Sequence, residues 1–223
     1  GTLVLFDTDG DELATFTESD AVDGKYVLEA DADVTPTLIL DYEFNGNVAS
    51  TGSVTTALST GTYRYASELR MSGRPYYNGS FAMPDDEWSV FIRCTMPTNC
   101  VGSPTIAIMF GANGGNLFGL VSGTGENTVA LASGTELIGP EVEVENATTL
   151  HHVYGIVKTV NKVRLYVDGV LKVEEPAAIS VAKKFQIGSV HGGNNTSYYG
   201  CSDTNACMDF LRFYDFAPDQ AFI

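Results

Sequence analysis

The 223 residues, 44% hydrophobic and 11% aromatic, suffice for one sizeable domain with a real core, which excludes a globally disordered chain. A formal charge of −16, from 28 acidic against 12 scattered basic residues, excludes nucleic acid and anionic membrane surfaces as partners. Both would need clustered Lys and Arg. No apolar stretch is long enough to insert across a bilayer, and no signal peptide opens the sequence.

In chain order, Leu3–Phe6 and Leu13–Thr17 flank Asp7-Thr8-Asp9-Gly10-Asp11. Asp-Gly between apolar runs predicts a hairpin over residues 1–17, because glycine accepts the positive φ of a tight turn. The same acidic residues resemble part of a calcium loop but lack the Glu an EF-hand needs at its twelfth position. Tyr26–Ala30 reads as a short strand and Asp31–Pro36 as a break, so residues 1–36 are expected to form an extension and residues 37–223 the main domain.

Beyond Thr37, apolar/polar alternation predicts strands at Leu38–Phe44, Phe81–Ala82, Trp88–Thr95, Thr105–Phe110, Leu117–Ser122, Thr128–Ser133, Glu141–Glu145, His151–Thr159, Lys162–Val167, Leu171–Glu174, Lys184–Ile187 and Met208–Phe213. Turn signals separate them, among them Gly139-Pro140, Asp168-Gly169 and the run His191–Asn195. A short helical turn is expected at Pro218–Ala221. Many short strands with regular turn signals mark an all-β sandwich or jelly roll. Trp88, the single tryptophan, opens an alternating strand and is expected in the core.

Leu150-His151-His152-Val153-Tyr154-Gly155, followed by the run Val163–Leu171 containing Asp168-Gly169, resembles the signature of laminin-G-like / concanavalin A-like lectin domains. Phe185–Gly188 and Met208–Tyr214 resemble that family's later strands, Leu38–Asn47 its opening strand and Trp88–Arg93 an inner one. The resemblance covers about residues 37–223 on the scale of one domain. Leu150 stands where the family has tryptophan, and residues 1–36 precede its pattern. The resemblance implies a two-sheet antiparallel jelly-roll sandwich, carrying an N-terminal β-hairpin extension here. It also implies Ca2+ at the rim, for which Asp203 and Asp209 are weak candidates. Binding of a glycan or of a protein partner is implied as well.

Several groups invite a chemical role. Glu141, Glu143 and Glu145 alternate as do the carboxylates of retaining β-glucanases, which share this broad fold and need two carboxyls about 5 Å apart. Only Asn146–Leu150 separate this triplet from the His-Val-Tyr strand, so a solvated strand edge is the expectation. His151 and His152, being adjacent, point to opposite faces of a strand, and one of them is expected to be a buried imidazole held by a backbone partner. The cysteines fall into equally spaced pairs, Cys94/Cys100 and Cys201/Cys207. Local disulfides in an oxidising compartment are expected, with free thiols and the other connectivities as alternatives.

The best ligand surface in the sequence is a pair of loops. One spans Arg74–Gly79 and offers Tyr76, Tyr77 and Asn78. The other runs from His191 to Tyr199 and offers His191, Asn194, Tyr198 and Tyr199. Sugars stack their apolar faces on aromatic rings while amides bind their hydroxyls. The expected function is therefore non-catalytic recognition of a glycan or glycoprotein by an extracellular or cell-surface module, with other domains of a longer chain as possible neighbours. Protein adhesion is the alternative, and glycoside hydrolysis the third reading.

Overall fold

The computed structural model describes residues 2–6, 12–17, 36–45, 48–55, 57–58, 68–70, 76–77, 87–97, 106–110, 118–133, 136–176, 185–187 and 206–218. Residues 1–35 and 36–223 form two compact units. In the first, β1 (Thr2–Phe6) and β2 (Glu12–Thr17) pair antiparallel, from Thr2 opposite Thr17 to Phe6 opposite Glu12. The expected strand Tyr26–Ala30 lies outside the described residues, as do Phe81–Ala82 and residues 219–221 of the expected helical turn.

The second unit consists of two antiparallel sheets. One has seven strands in the order β13 (Val170–Pro176), β12 (Lys162–Val167), β11 (His152–Lys158), β6 (Trp88–Cys94), β15 (Cys207–Tyr214) and β3 (Leu38–Glu43), with β4 (Leu69–Arg70) pairing the start of β15. The other has six, in the order β10 (Glu136–Glu143), β9 (Thr128–Ser133), β8 (Phe118–Ser122), β7 (Ile106–Phe110), β14 (Phe185–Ile187) and β5 (Tyr76–Tyr77). No helix occurs among the described residues. The chain is an all-β sandwich.

Alternation explains how each strand meets the core. Along β6, Trp88, Val90, Ile92 and Cys94 point inward, while Arg93 on the other face is exposed. Tyr42, Ile156, Leu165 and Phe213 add to this layer, and Phe110, Phe118, Leu131 and Phe185 line the facing sheet. Trp88 is 1% exposed. Its ring centroid lies 5.6 Å from that of Phe213 in its own sheet, and 5.9 and 6.1 Å from those of Phe110 and Phe118 across the core. Aromatic pairs at such distances add about 0.5–1.5 kcal/mol each beyond area burial.

The edge strand β10 departs from expectation. It starts at Glu136 and ends at Glu143, so Gly139-Pro140 lies inside it rather than between strands. Ile138 pairs Leu131 and Val142 pairs Val129, which makes Gly139-Pro140 a bulge that absorbs extra residues. Proline is tolerated because an edge strand has a free side that needs no donor. Gly139 has φ 72°, and a Cβ there would sit 2.9 Å from Val173 Cγ1 of β13. Both facts select glycine. The Asp168-Gly169 turn between β12 and β13 forms as predicted, both residues having positive φ.

Candidate functional site

The sequence-predicted site residues separate sharply. Tyr76 and Tyr77 are strand rather than loop. They form β5 at the edge of the six-stranded sheet, Tyr77 opposite Phe185 and Tyr76 opposite Gln186, as the strand preference of aromatic residues favours. Asn78, His191, Asn194, Tyr198, Tyr199 and Asp203 lie outside the described residues. Cys94 is a free thiol in this structure, and Cys100 and Cys201, the expected partners of Cys94 and Cys207, are not among the described residues. Burial pushes the Cys94 thiol well above its ordinary range, so it packs as a small apolar group.

The acidic triplet is taken up by architecture. Glu141 accepts hydrogen bonds from the Thr124 amide at 3.0 Å, the Thr124 hydroxyl at 2.8 Å and the Thr128 hydroxyl at 3.0 Å, which ties down the turn between β8 and β9. Glu143 is exposed, and Glu145 lies past the end of β10. The triplet therefore does not lie on one strand, and its first member is engaged in holding a turn.

His152 is structural as well. Its Nδ1 lies 2.7 Å from Asp168 Oδ2 and its Nε2 lies 3.0 Å from the Glu145 carbonyl oxygen. The Val153 amide donates to the other Asp168 oxygen at 2.9 Å. The His-Val and Val-Asp-Gly pieces of the motif thus bind each other, and the pairing fixes the β12–β13 turn against the start of β11.

His151 turns to different partners. Along β15, Met208 pairs Cys94 and Phe210 pairs Arg93, leaving Asp209 as the extra residue of a β-bulge. A bulge re-aims a side chain. Here Asp209 turns toward the outer side of the seven-stranded sheet, where Arg93 Nη1 donates to its Oδ2. His151 Nε2 lies 3.4 Å from Asp209 Oδ1 and 3.8 Å from Glu68 Oε1. This ring nitrogen is buried and has no hydrogen-bond partner. Desolvation lowers the His151 pKa, opposed by Glu68 and aided by Arg93 and His152, which favours the neutral ring.

Further down the same outer face, Arg212 lies opposite Phe91 on β6 and Asp41 on β3. Its guanidinium bonds the Glu43 and Asp41 carboxylates and sits 4.6 Å from the Phe210 ring centroid. Tyr214 packs edge-on between Phe91 at 5.9 Å and Phe216 at 5.7 Å. Phe210, Tyr214 and Phe216 are all half-buried. Ring edges and fixed charges therefore meet solvent side by side, a surface that can stack an apolar ring face and hydrogen-bond hydroxyls. Sequence reading took Met208–Tyr214 as a closing strand with Asp209 as a calcium candidate, and gave Phe210, Arg212 and Tyr214 no ligand role. The signal for more was the inward trio Met208, Leu211 and Phe213, whose first interval is three rather than two.

At the end where β6 terminates, a pocket of about 70 Å³ opens between Met96, Ser122, Asn127, Thr128, Ala147 and Thr148. Asn127, itself at φ 59°, accepts from the Thr148 hydroxyl at 3.3 Å. Ligand pockets run to several hundred Å³, so this one can hold a hydroxymethyl group or ordered water but not a whole sugar ring.

Calcium, implied by the resemblance, takes six to eight oxygens. Among the described residues, Asp209 has one further carboxylate nearby, that of Glu68, beside an imidazole nitrogen and a guanidinium, which falls short of that set; Asp203 lies outside the described residues.

The fold is an antiparallel β-sandwich of two sheets. No family model matches the chain, and no curated protein matches it in sequence. Solved structures do match. Domain 4 of AbnA, an extracellular arabinanase of glycoside hydrolase family 43 from Geobacillus stearothermophilus, in complex with arabinotriose, is similar over 83% of this chain and 96% of its own. The TM-score is 0.64 at 15% identity. The binding domain of botulinum neurotoxin serotype D is similar over 83% of this chain and 49% of its own, with TM-score 0.63 at 11% identity. A Trypanosoma rangeli sialidase in complex with sialic acid is similar over 90% of this chain and 33% of its own, with TM-score 0.56 at 12% identity. At such identities the likeness is one of fold.

Proposed function

We propose that this chain is a non-catalytic glycan-recognition module of laminin-G-like type that works outside the cell, secreted or at the cell surface. Its binding surface is the outer face of the seven-stranded sheet around Phe210, Tyr214 and Phe216. The observation that carries the reading is the adjacency of half-buried rings and Arg212 held by Asp41 and Glu43, because a sugar presents an apolar face and a rim of hydroxyls to its binder. Support comes from the arabinotriose complex of a neighbour that the chain matches along nearly that neighbour's whole length. The engagement of Glu141 in turn-holding bonds supports the non-catalytic part of the reading. A formal charge of −16 favours neutral sugars over polyanionic ones.

A glycan array probed with the purified chain tests this. Neutral oligosaccharides are expected to bind, and Tyr214→Ala with Phe216→Ala should abolish the signal while circular dichroism stays unchanged. Silence across the array from folded protein would remove the glycan reading in favour of protein adhesion. Undiminished binding by the double variant would move the site elsewhere.

A further inference from the structure

We infer that Glu68, His151 and Asp209 form a site for a divalent transition ion of the zinc class, on the outer rim of the seven-stranded sheet. Their donor atoms all lie within 4.8 Å of one another. The separations of His151 Nε2 from Asp209 Oδ1 and Glu68 Oε1, 3.4 and 3.8 Å, are too long for hydrogen bonds, which close at about 2.7–3.2 Å. They do suit a metal. Two ligands each about 2.1 Å from a tetrahedral ion stand about 3.4 Å apart.

A second observation points the same way. The Nε2 atom is buried without a hydrogen-bond partner, a costly arrangement for a polar atom unless something else occupies its lone pair. Asp209 is divided suitably for a ligand: Arg93 holds Oδ2, which orients the carboxylate and leaves Oδ1 facing His151.

The donor set selects the ion. One imidazole nitrogen with two carboxylate oxygens is a zinc-type set, whereas calcium requires oxygen throughout. Three elements that diverge in sequence would be joined: the residue before β4, the residue before β11 and the bulge of β15. Three protein donors leave a fourth position for water or a ligand oxygen. This site stands independently of the glycan reading, which rests on rings further along the sheet.

Titration of the metal-free chain with Zn2+ by calorimetry tests it, with the melting temperature followed in parallel and Co2+ absorption used to report coordination geometry. One equivalent of Zn2+ should bind and raise the melting temperature, and excess Ca2+ should not displace it. His151→Ala and Glu68→Gln should each weaken Zn2+ at least about tenfold, since even outer-shell changes cost 10–100-fold in affinity. Glu68 is partly exposed, so its variant keeps the fold if His151→Ala does not. Zn2+ binding of equal strength in wild type and Glu68→Gln would overturn the site. So would displacement by equimolar Ca2+, or no binding by folded protein.

Discussion

The two sheets share a core but turn opposite kinds of surface away from it. Behind the six-stranded sheet, Met109, Val121, Ala130 and Ala132 form a second apolar cluster, all buried. Behind the seven-stranded sheet, the equivalent positions on β15 and β6 include the buried Ser89 and Phe91 but also Arg93, Phe210, Arg212 and Tyr214, among which Arg93 is exposed and the others half-buried. Nothing in strand geometry forces this difference, since both sheets alternate with the same period. It is written in side-chain chemistry. A sheet apolar on both faces serves packing, and a sheet with charge and aromatic edges on its outer face has a surface to use.

The comparison breaks most visibly by placing a charge behind the wrong sheet. Ala130→Asp buries an unpaired carboxylate in the second apolar cluster, a change that costs several kcal/mol or forces protonation. The expected outcome is loss of the cooperative thermal transition, or a drop in stability of more than about 3 kcal/mol in urea unfolding. Binding should disappear only along with the fold. By contrast, Tyr214→Ala behind the other sheet should remove binding and leave the transition in place. Ala130→Asp with wild-type stability would show that this face is open to water and undo the contrast.

A smaller effect tests how tightly the seven-stranded face is built. Gly155 lies opposite Phe91 on one side and Tyr166 on the other. A Cβ at Gly155 would come 3.0 Å from Phe91 Cε1 and 3.2 Å from its Cδ1, closer than side chains normally approach. Gly155→Ala should therefore cost about 1–3 kcal/mol through displacement of the Phe91 ring, measured as a shift in the urea midpoint at unchanged slope. Adding Phe91→Leu should recover part of that loss. Because Phe91 packs edge-on with Tyr214, the single variant should also disturb the proposed ligand surface.

Much of the fold was legible in the sequence, and the reason is physical. Trp88, Val90 and Ile92 alternate cleanly, and Asp168-Gly169 can form only a tight turn, so local rules and tertiary structure agree there. At β10 they conflict. Gly139-Pro140 carries every local mark of a turn, yet Ile138 and Val142 both have core positions to fill, and the chain keeps its pairing by bulging. The outer site was hidden for a related reason. Asp209 owes its direction to a bulge, and its neighbours Glu68, Arg93 and His151 come from positions far apart in sequence. No local spacing encodes that meeting. His152, one residue from His151, looks identical in the sequence and is bound instead to Asp168 and Glu145.

The smallest predicted effect concerns the polar exception on the six-stranded sheet. Burial would raise the Glu141 pKa, but the Thr124 amide and hydroxyl and the Thr128 hydroxyl, all donating to its carboxylate, prevail and hold it below the usual carboxylate range. A carboxyl with a depressed folded pKa contributes stability above its unfolded pKa, near 4.3 for glutamate, and loses that contribution as pH falls through the folded value. Glu141→Gln removes the charged acceptor. It should lower stability by about 1 kcal/mol at pH 7, by urea unfolding, with the gap to wild type closing as the pH drops below about 4. A pH-independent gap would mean that the side chain acts by shape rather than charge. Glycan binding should be unaffected at either pH, because the turn Glu141 holds belongs to the sheet opposite the proposed binding face. A parallel loss of binding in Glu141→Gln would bring the acidic edge back into the functional surface and erase the distinction between the two faces.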